Sequence, residues 1–247
     1  MIDRQAIGER FGVVQERMHA AAVRAGRPVE AVTIVAVTKT WPAKVVVAAY
    51  EAGMRHFGEN RPEELAAKRP EVEKILGPNS GIIWHLIGTL QSRKTGLAAG
   101  YADVFHALDR EKIARRLSAD LAASGRVLPS FLEVNVSGEA TKAGFDCRIW
   151  EESATQRSEL RKVIVKATEL PGLEVMGLMT IAPWDVEPDI IRTVFQRARQ
   201  LAEWLQSQLA KPTSLALSMG MTDDFEIAIE EGATHIRVGR AIFGERE

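Results

Sequence analysis

Cysteine is nearly absent: Cys147 is alone among 247 residues. That excludes an intramolecular disulfide and a thiolate zinc cage, and it fits a reducing, cytoplasmic setting. Charge of one sign is also missing. Lys and Arg number 32 against 33 Asp and Glu, for a formal net charge of -1. No long-range field recruits nucleic acid or an anionic membrane surface. No apolar stretch approaches the roughly 20 residues of a membrane span, and the opening Met1-Ile2-Asp3-Arg4 lacks a signal-peptide core. There is no Gly-x-Ser-x-Gly elbow, Walker loop, Gly-x-Gly-x-x-Gly, His-x-His or His-Glu-x-x-His. Interdomain linkers, low-complexity tracts and short-period repeats are lacking as well.

What is present is a sizeable apolar fraction, 46%, beside 26% charged residues, as expected of a soluble globular domain. Segment 3–25 is amphipathic, with Phe11, Val14, Met18, Ala21 and Ala22 at helical spacing, and Gly26 and Pro28 close it. Short apolar runs then recur at 32–38, 55–58, 82–87, 103–106, 131–136, 174–179, 215–218 and 235–238. Helical stretches lie between them near 43–53, 61–75, 90–99, 110–124, 150–169, 188–209 and 223–231. This alternation predicts an α/β fold: one (β/α)8 barrel domain over residues 1–247 with an extra N-terminal helix. A doubly wound open sheet is the alternative. Segments 77–81 and 137–146 read as irregular loops, the second able to cover the active face because it follows a strand directly.

In either architecture, ligands bind at the C-terminal ends of the strands. Lys39 ends the first run, Val32 to Thr38, just before a helix that Pro42 opens, with Thr40 or Trp41 as its cap. A half-desolvated amine there has a lowered pKa and attacks carbonyls; the alternative is a lysine pointing into water. Asn60 follows the second run, and Gly88 to Gln91 the third. The last two runs end in Ser218-Met219-Gly220-Met221-Thr222-Asp223-Asp224 and Arg237-Val238-Gly239-Arg240. These loops suit a phosphate: a Ser218 hydroxyl, glycines that admit an anion to the backbone, a short helix from Arg240, and the Arg240 charge. Thr222 reads as a helix cap, with Asp223 and Asp224 in the first turn. Arg237 interrupts an apolar strand and needs a buried partner: a ligand ring nitrogen, a carboxylate, or a neighbouring strand's acid. His56, His85, His106 and His235 fall in or beside strands. Without metal-ligand spacing they read as scattered core histidines with one hydrogen-bond partner each.

Taken together, Ala36-Val37-Thr38-Lys39-Thr40, Phe57-Gly58-Glu59-Asn60, Trp84-His85-Leu86-Ile87-Gly88-Thr89-Leu90-Gln91, Gly177-Leu178-Met179-Thr180-Ile181, and Leu217 to Asp224 with Ile236 to Gly244 resemble the pyridoxal phosphate homeostasis proteins. These are small barrels of the alanine-racemase-like fold type that bind pyridoxal 5'-phosphate (PLP). The resemblance covers about residues 30–244. It implies that Lys39 holds PLP as a Schiff base. Ser218 and the Met219 and Gly239 backbone groups would bind its phosphate. Arg237 would face the pyridine nitrogen, Asn60 would lie close by, and His85 and Met179 would line the surroundings. Arg240 stands where the family often has a small hydroxyl residue, and its guanidinium is expected to replace that contact. Arg61 stands where an aromatic is common.

A cation beside the ring nitrogen keeps that nitrogen unprotonated and the ring a weak electron sink. The racemases of this fold add an all-β domain with a tyrosine base. Here the chain ends at Glu247 and has only Tyr50 and Tyr101, so two-base racemisation lacks an evident second acid/base. The expectation is a cytoplasmic, non-catalytic PLP carrier or buffer in PLP homeostasis, a monomer, with apo PLP-dependent enzymes as recipients and no metal, nucleic-acid or membrane partner. A PLP-dependent amino-acid racemase-like enzyme is the alternative, and a metal-dependent hydrolase the weakest reading.

Overall fold

The computed structural model describes residues 4–139, 142–209 and 214–245. Each predicted apolar run forms a strand: β1 Thr33–Val37, β2 His56–Glu59, β3 Ile83–Leu86, β4 Val104–Leu108, β5 Leu128–Asn135, β7 Leu173–Met179, β8 Ala216–Ser218 and β9 His235–Val238. A two-residue strand, β6 Phe145–Asp146, adds to the side of β5. The other eight run in the order β4-β3-β2-β1-β9-β8-β7-β5, and pairing of β4 with β5 closes the ring. Every pairing is parallel, so the chain must cross over between strands, which is what the helices do. These are α1 Arg4–Arg24, α2 Ala43–Glu51, α3 Pro62–Leu76, α4 Thr95–Tyr101, α5 Glu111–Ser124, α6 Ala154–Glu169, α7 Pro188–Gln208, α8 Phe225–Glu230 and α9 Arg240–Phe243. The closed ring decides against an open sheet.

Strands flanked on both faces bury both sets of side chains, hence the fully buried Phe57, Trp84, Phe105 and Phe131. The predicted α7 stripe is buried at Val194, Phe195, Ala198, Leu201, Ala202 and Leu205. The extra helix α1 buries Phe11, Val14, Met18, Ala21 and Ala22. It lies on α8 and α9: Arg17 pairs with Glu226 at 3.0 Å, and Arg10 Nε donates to the Ile242 carbonyl at 2.7 Å. Gly177 allows β7 and β8 to approach closely, since a Cβ there would stand 1.9 Å from the Ala216 carbonyl oxygen.

Several boundaries differ from the sequence expectation. Strand β5 starts three residues before 131, because Pro129 and Ser130 interrupt the apolar run; the Ser130 hydroxyl is satisfied locally by the Leu128 carbonyl at 3.1 Å. Helix α6 begins at Ala154 rather than 150, where Ser153 Oγ accepts the Gln156 N–H at 3.2 Å. The stretch 90–99 divides into a 3-10 turn, Ser92–Lys94, and α4. Within the expected loop 137–146, β6 is regular, and positions 140 and 141 lie outside the described residues. Pro42 is itself the cap of α2, not its first residue.

Candidate functional site

Lys39 sits in the turn after β1, and a buried polar cluster holds the residues on either side of it. Thr38 Oγ1 donates to Glu59 Oε1 at 2.7 Å. From α3, Lys68 Nζ donates to the Thr38 carbonyl at 2.9 Å, to Glu59 Oε1 at 2.6 Å and to Glu64 Oε1 at 2.9 Å. Glu64 in turn accepts the Thr40 N–H. Thr40 adopts φ 68°, a left-handed conformation that a β-branched residue takes only under constraint. Burial pushes the Glu59 carboxyl upward, against the pull of Lys68. The amine-bearing turn is therefore fixed by an ion cluster that α3 and the end of β2 supply.

A cavity of about 520 Å³ opens at this end of the barrel. Lys39, Asn60, Arg237, Gly239 and Arg240 all line it. Asn60 reaches its place because Gly88 has no side chain: a Cβ there would stand 2.3 Å from the Asn60 carbonyl oxygen. Met221 and Thr222 come from the loop after β8, and Ile87, Ile181 and Trp184 add apolar wall. Of these five, Trp184 lies outside every motif of the sequence, and Met221, Thr222, Ile87 and Ile181 lie within motifs without being expected at the cofactor. Thr222 carries a signal, a hydroxyl two residues past Gly220 on a rim loop, which in the sequence competes with its reading as a helix cap. In the structure Asp224 caps α8, its carboxylate accepts the Met221 N–H, and Asp223 instead pairs with Arg240. Arg240 also lies over the exposed Trp184 ring, 5.3 Å from its centroid.

Arg237 points into the barrel and is buried. Its Nη1 donates to Ser218 Oγ at 2.8 Å and its Nη2 to the Thr180 carbonyl at 3.1 Å. Burial draws its pKa down to about 10, against the attraction of Asp224 and Glu133, so it remains a cation at neutral pH. Ser218, expected at a phosphate, is fully buried with its hydroxyl engaged by Arg237 and by His106 Nδ1 at 2.7 Å. The Met219 N–H, assigned to the same anion, donates to the His235 carbonyl at 3.1 Å. Met179 and His85 are buried, and neither they nor Ser218 and Met219 line the cavity. The histidines are not scattered. His56 Nδ1 meets His85 Nε2 at 2.9 Å, and His85 Nδ1 meets His106 Nε2 at 2.8 Å, so His85 and His106 have two partners each. Burial holds both well below the ordinary imidazole pKa. Among the described residues no cluster of three or more His, Cys, Asp or Glu is arranged to hold a metal.

The site thus offers one amine, two guanidinium groups, a carboxamide and a hydroxyl around an open cavity, with two lining carboxylates, Asp223, which is bound to Arg240, and Glu245. That donor set suits a small anion carrying a carbonyl group.

Comparison with known proteins agrees in length and shape. The alanine racemase N-terminal domain family matches residues 2–247. The pyridoxal phosphate homeostasis protein of Aquifex aeolicus is 36% identical over 97% of this chain and 98% of its own. That of Pseudomonas aeruginosa is 39% identical over 98% and 96%. Among solved structures, PipY of Synechococcus elongatus with PLP bound superimposes with a TM-score of 0.77 at 35% identity, over 96% of this chain and 100% of that one. An alanine racemase from Streptomyces coelicolor, 15% identical with a TM-score of 0.67, shares the fold alone and is covered over 59% of its length. The chain therefore belongs to the pyridoxal phosphate homeostasis proteins, within the alanine racemase N-terminal domain family.

Proposed function

We propose that this protein binds PLP as a Schiff base on Lys39 and serves intracellular PLP homeostasis as a carrier or buffer without catalytic turnover. The observation that carries the reading is the placement of Lys39 and the buried Arg237 in one cavity of about 520 Å³ at the strand ends. The bound PLP of PipY and the names of the curated relatives support the choice of ligand. When bound, PLP supplies an aldehyde for an amine and a ring able to accept electrons. The chain's own residues limit that second capacity. A guanidinium facing the ring nitrogen withholds the proton that would make the ring a strong acceptor. In this reading Gly239, Arg240 and Thr222 hold the phosphate, while Asn60 orients the ring. Ser218 acts one step back, by holding Arg237. Met179, Met219 and His85 support the site from the core.

Neither tyrosine lines the cavity; Tyr50 donates to the Ser80 carbonyl at 3.1 Å. This supports a carrier over a two-base racemase. The reading extends to a cytoplasmic monomer, a single barrel domain, that passes PLP to apo enzymes. The test is an absorbance spectrum with added PLP beside Lys39→Ala. A visible band in the wild type only, fixed by borohydride onto the peptide containing Lys39, is expected. The same spectrum from both proteins would overturn the assignment, and steady Lys39-dependent turnover of an amino acid would favour an enzyme.

A further inference from the structure

Behind Arg237, a line of polar side chains crosses the barrel interior from β9 and β8 to β4, β3 and β2. It runs Arg237, Ser218, His106, His85, His56 with contacts of 2.8, 2.7, 2.8 and 2.9 Å. We propose that His106, His85 and His56 form an oriented hydrogen-bond chain that fixes the Ser218 hydroxyl as the acceptor for Arg237, making His106 a positioning residue for the guanidinium at the cofactor site. The proposal rests on the reading above only in giving Arg237 a cofactor to face.

The orientation follows from one fact: a guanidinium donates hydrogen bonds and cannot accept them. Ser218 Oγ must therefore accept from Arg237. Ser218 is fully buried, and among the described residues its oxygen has two partners, Arg237 Nη1 and His106 Nδ1. Its own proton has one acceptor to go to, the lone pair of His106 Nδ1. Were His106 Nδ1 protonated instead, the serine proton would be left buried without an acceptor. A neutral His106 with a bare Nδ1 carries its hydrogen on Nε2, which faces His85 Nδ1. His85 then carries its hydrogen on Nε2, which faces His56 Nδ1. His56, the first residue of β2, is partly exposed and ends the line, so its own hydrogen falls on Nε2.

Burial keeps His85 and His106 neutral, which the scheme requires. All acceptor ends point toward Arg237, so the aligned dipoles favour its buried positive charge. His235 stands beside this line with its Nδ1 at Thr234 Oγ1, 2.9 Å away, and is not a link in it.

The test reads ring-nitrogen protonation directly, by long-range proton–nitrogen NMR of the 15N-labelled, cofactor-free full chain. Nε2 protonation is expected on His106, His85 and His56 alike. Ser218→Ala removes the group that sets the direction, and a mixed pattern reaching as far as His56 is expected. Nδ1 protonation in the wild type, or a pattern indifferent to Ser218→Ala, would overturn the proposal. A second arm compares His106→Asn, which keeps an acceptor near the Nδ1 position, with His106→Phe, which fills the volume without one. PLP affinity within about twofold of wild type is expected for His106→Asn and a loss of about tenfold for His106→Phe. Equal losses in both would mean that His106 is mere packing. Should His106→Phe fail to fold, the NMR comparison of the wild type with Ser218→Ala decides alone. Failure of the wild type to bind PLP would sink the functional reading without touching the NMR result.

Discussion

Lys68 Nζ donates to the main-chain carbonyl of Thr38 at 2.9 Å, so an ammonium from a neighbouring helix holds the residue that precedes Lys39. The same ammonium neutralises Glu59, which is fully buried. Lys68→Met removes both services. A buried carboxylate stripped of its partner typically destabilises a protein by about 3–5 kcal/mol. A loss near the lower end is expected in urea unfolding, because the remaining Glu59 is able to take up a proton. PLP titration of the folded variant should show roughly tenfold weaker binding as the turn loses its anchor, about 1.4 kcal/mol. Unchanged affinity would show that the turn holds itself.

Gly88→Ala tests the approach that places Asn60. The added Cβ would meet the Asn60 carbonyl oxygen at 2.3 Å, and it would meet backbone rather than a yielding side-chain tip. The loop after β2 must move. A stability loss of about 1–3 kcal/mol is expected from such overpacking. PLP binding should weaken together with it, measured as the dissociation constant on protein that still unfolds cooperatively.

Glu133 makes an opposite demand on pH from most carboxylates. Burial, aided by Asp109 and opposed by Arg237, raises it from about 4.5 to about 7. Between those values the folded state holds a proton that the unfolded state has lost, so stability falls as pH rises through the window. Glu133→Gln should match the wild type near pH 4 and exceed it at pH 8, by no more than about 3 kcal/mol. Denaturation curves at the two pH values check this, and a variant weaker at pH 8 would contradict it.

His235 acts in the other direction. Burial first, then His56 and Arg237, lower it from 6.5 to about 4. Across that window the unfolded chain binds the extra proton, so stability rises with pH and is lost as pH falls from 6.5 toward 4. His235→Phe should flatten the acid limb of a stability–pH profile by up to about 1.4 kcal/mol per pH unit.

The barrel was legible because parallel strands covered on both faces read as plain apolar runs, and polar residues at their ends mark the functional rim. That logic pointed to Lys39, Asn60, Arg237, Gly239 and Arg240, which line one cavity. It failed where a group reaches in from a helix. Lys68 lies on α3, nine residues past Glu59, and nothing in a polar helix distinguishes a lysine that turns inward. It failed again inside the barrel. Which imidazole nitrogen meets which depends on the stagger of β2, β3 and β4, set by register rather than composition. Ser218 shows both sides of this: its strand-end position was readable, but its engagement with His106 and Arg237 was not.

Helix α1 has a consequence for how the protein is made. Beside its contacts with the nearby α2, its partners lie far along the chain: Arg17 meets Glu226 across 209 positions. At translation rates of roughly 5–20 residues per second, its apolar face waits about 10–40 s before that docking surface has been synthesised. For that interval the part of α1 that packs on α8 and α9 stays uncovered on the nascent chain, a natural foothold for a ribosome-associated chaperone and a vulnerable moment for aggregation.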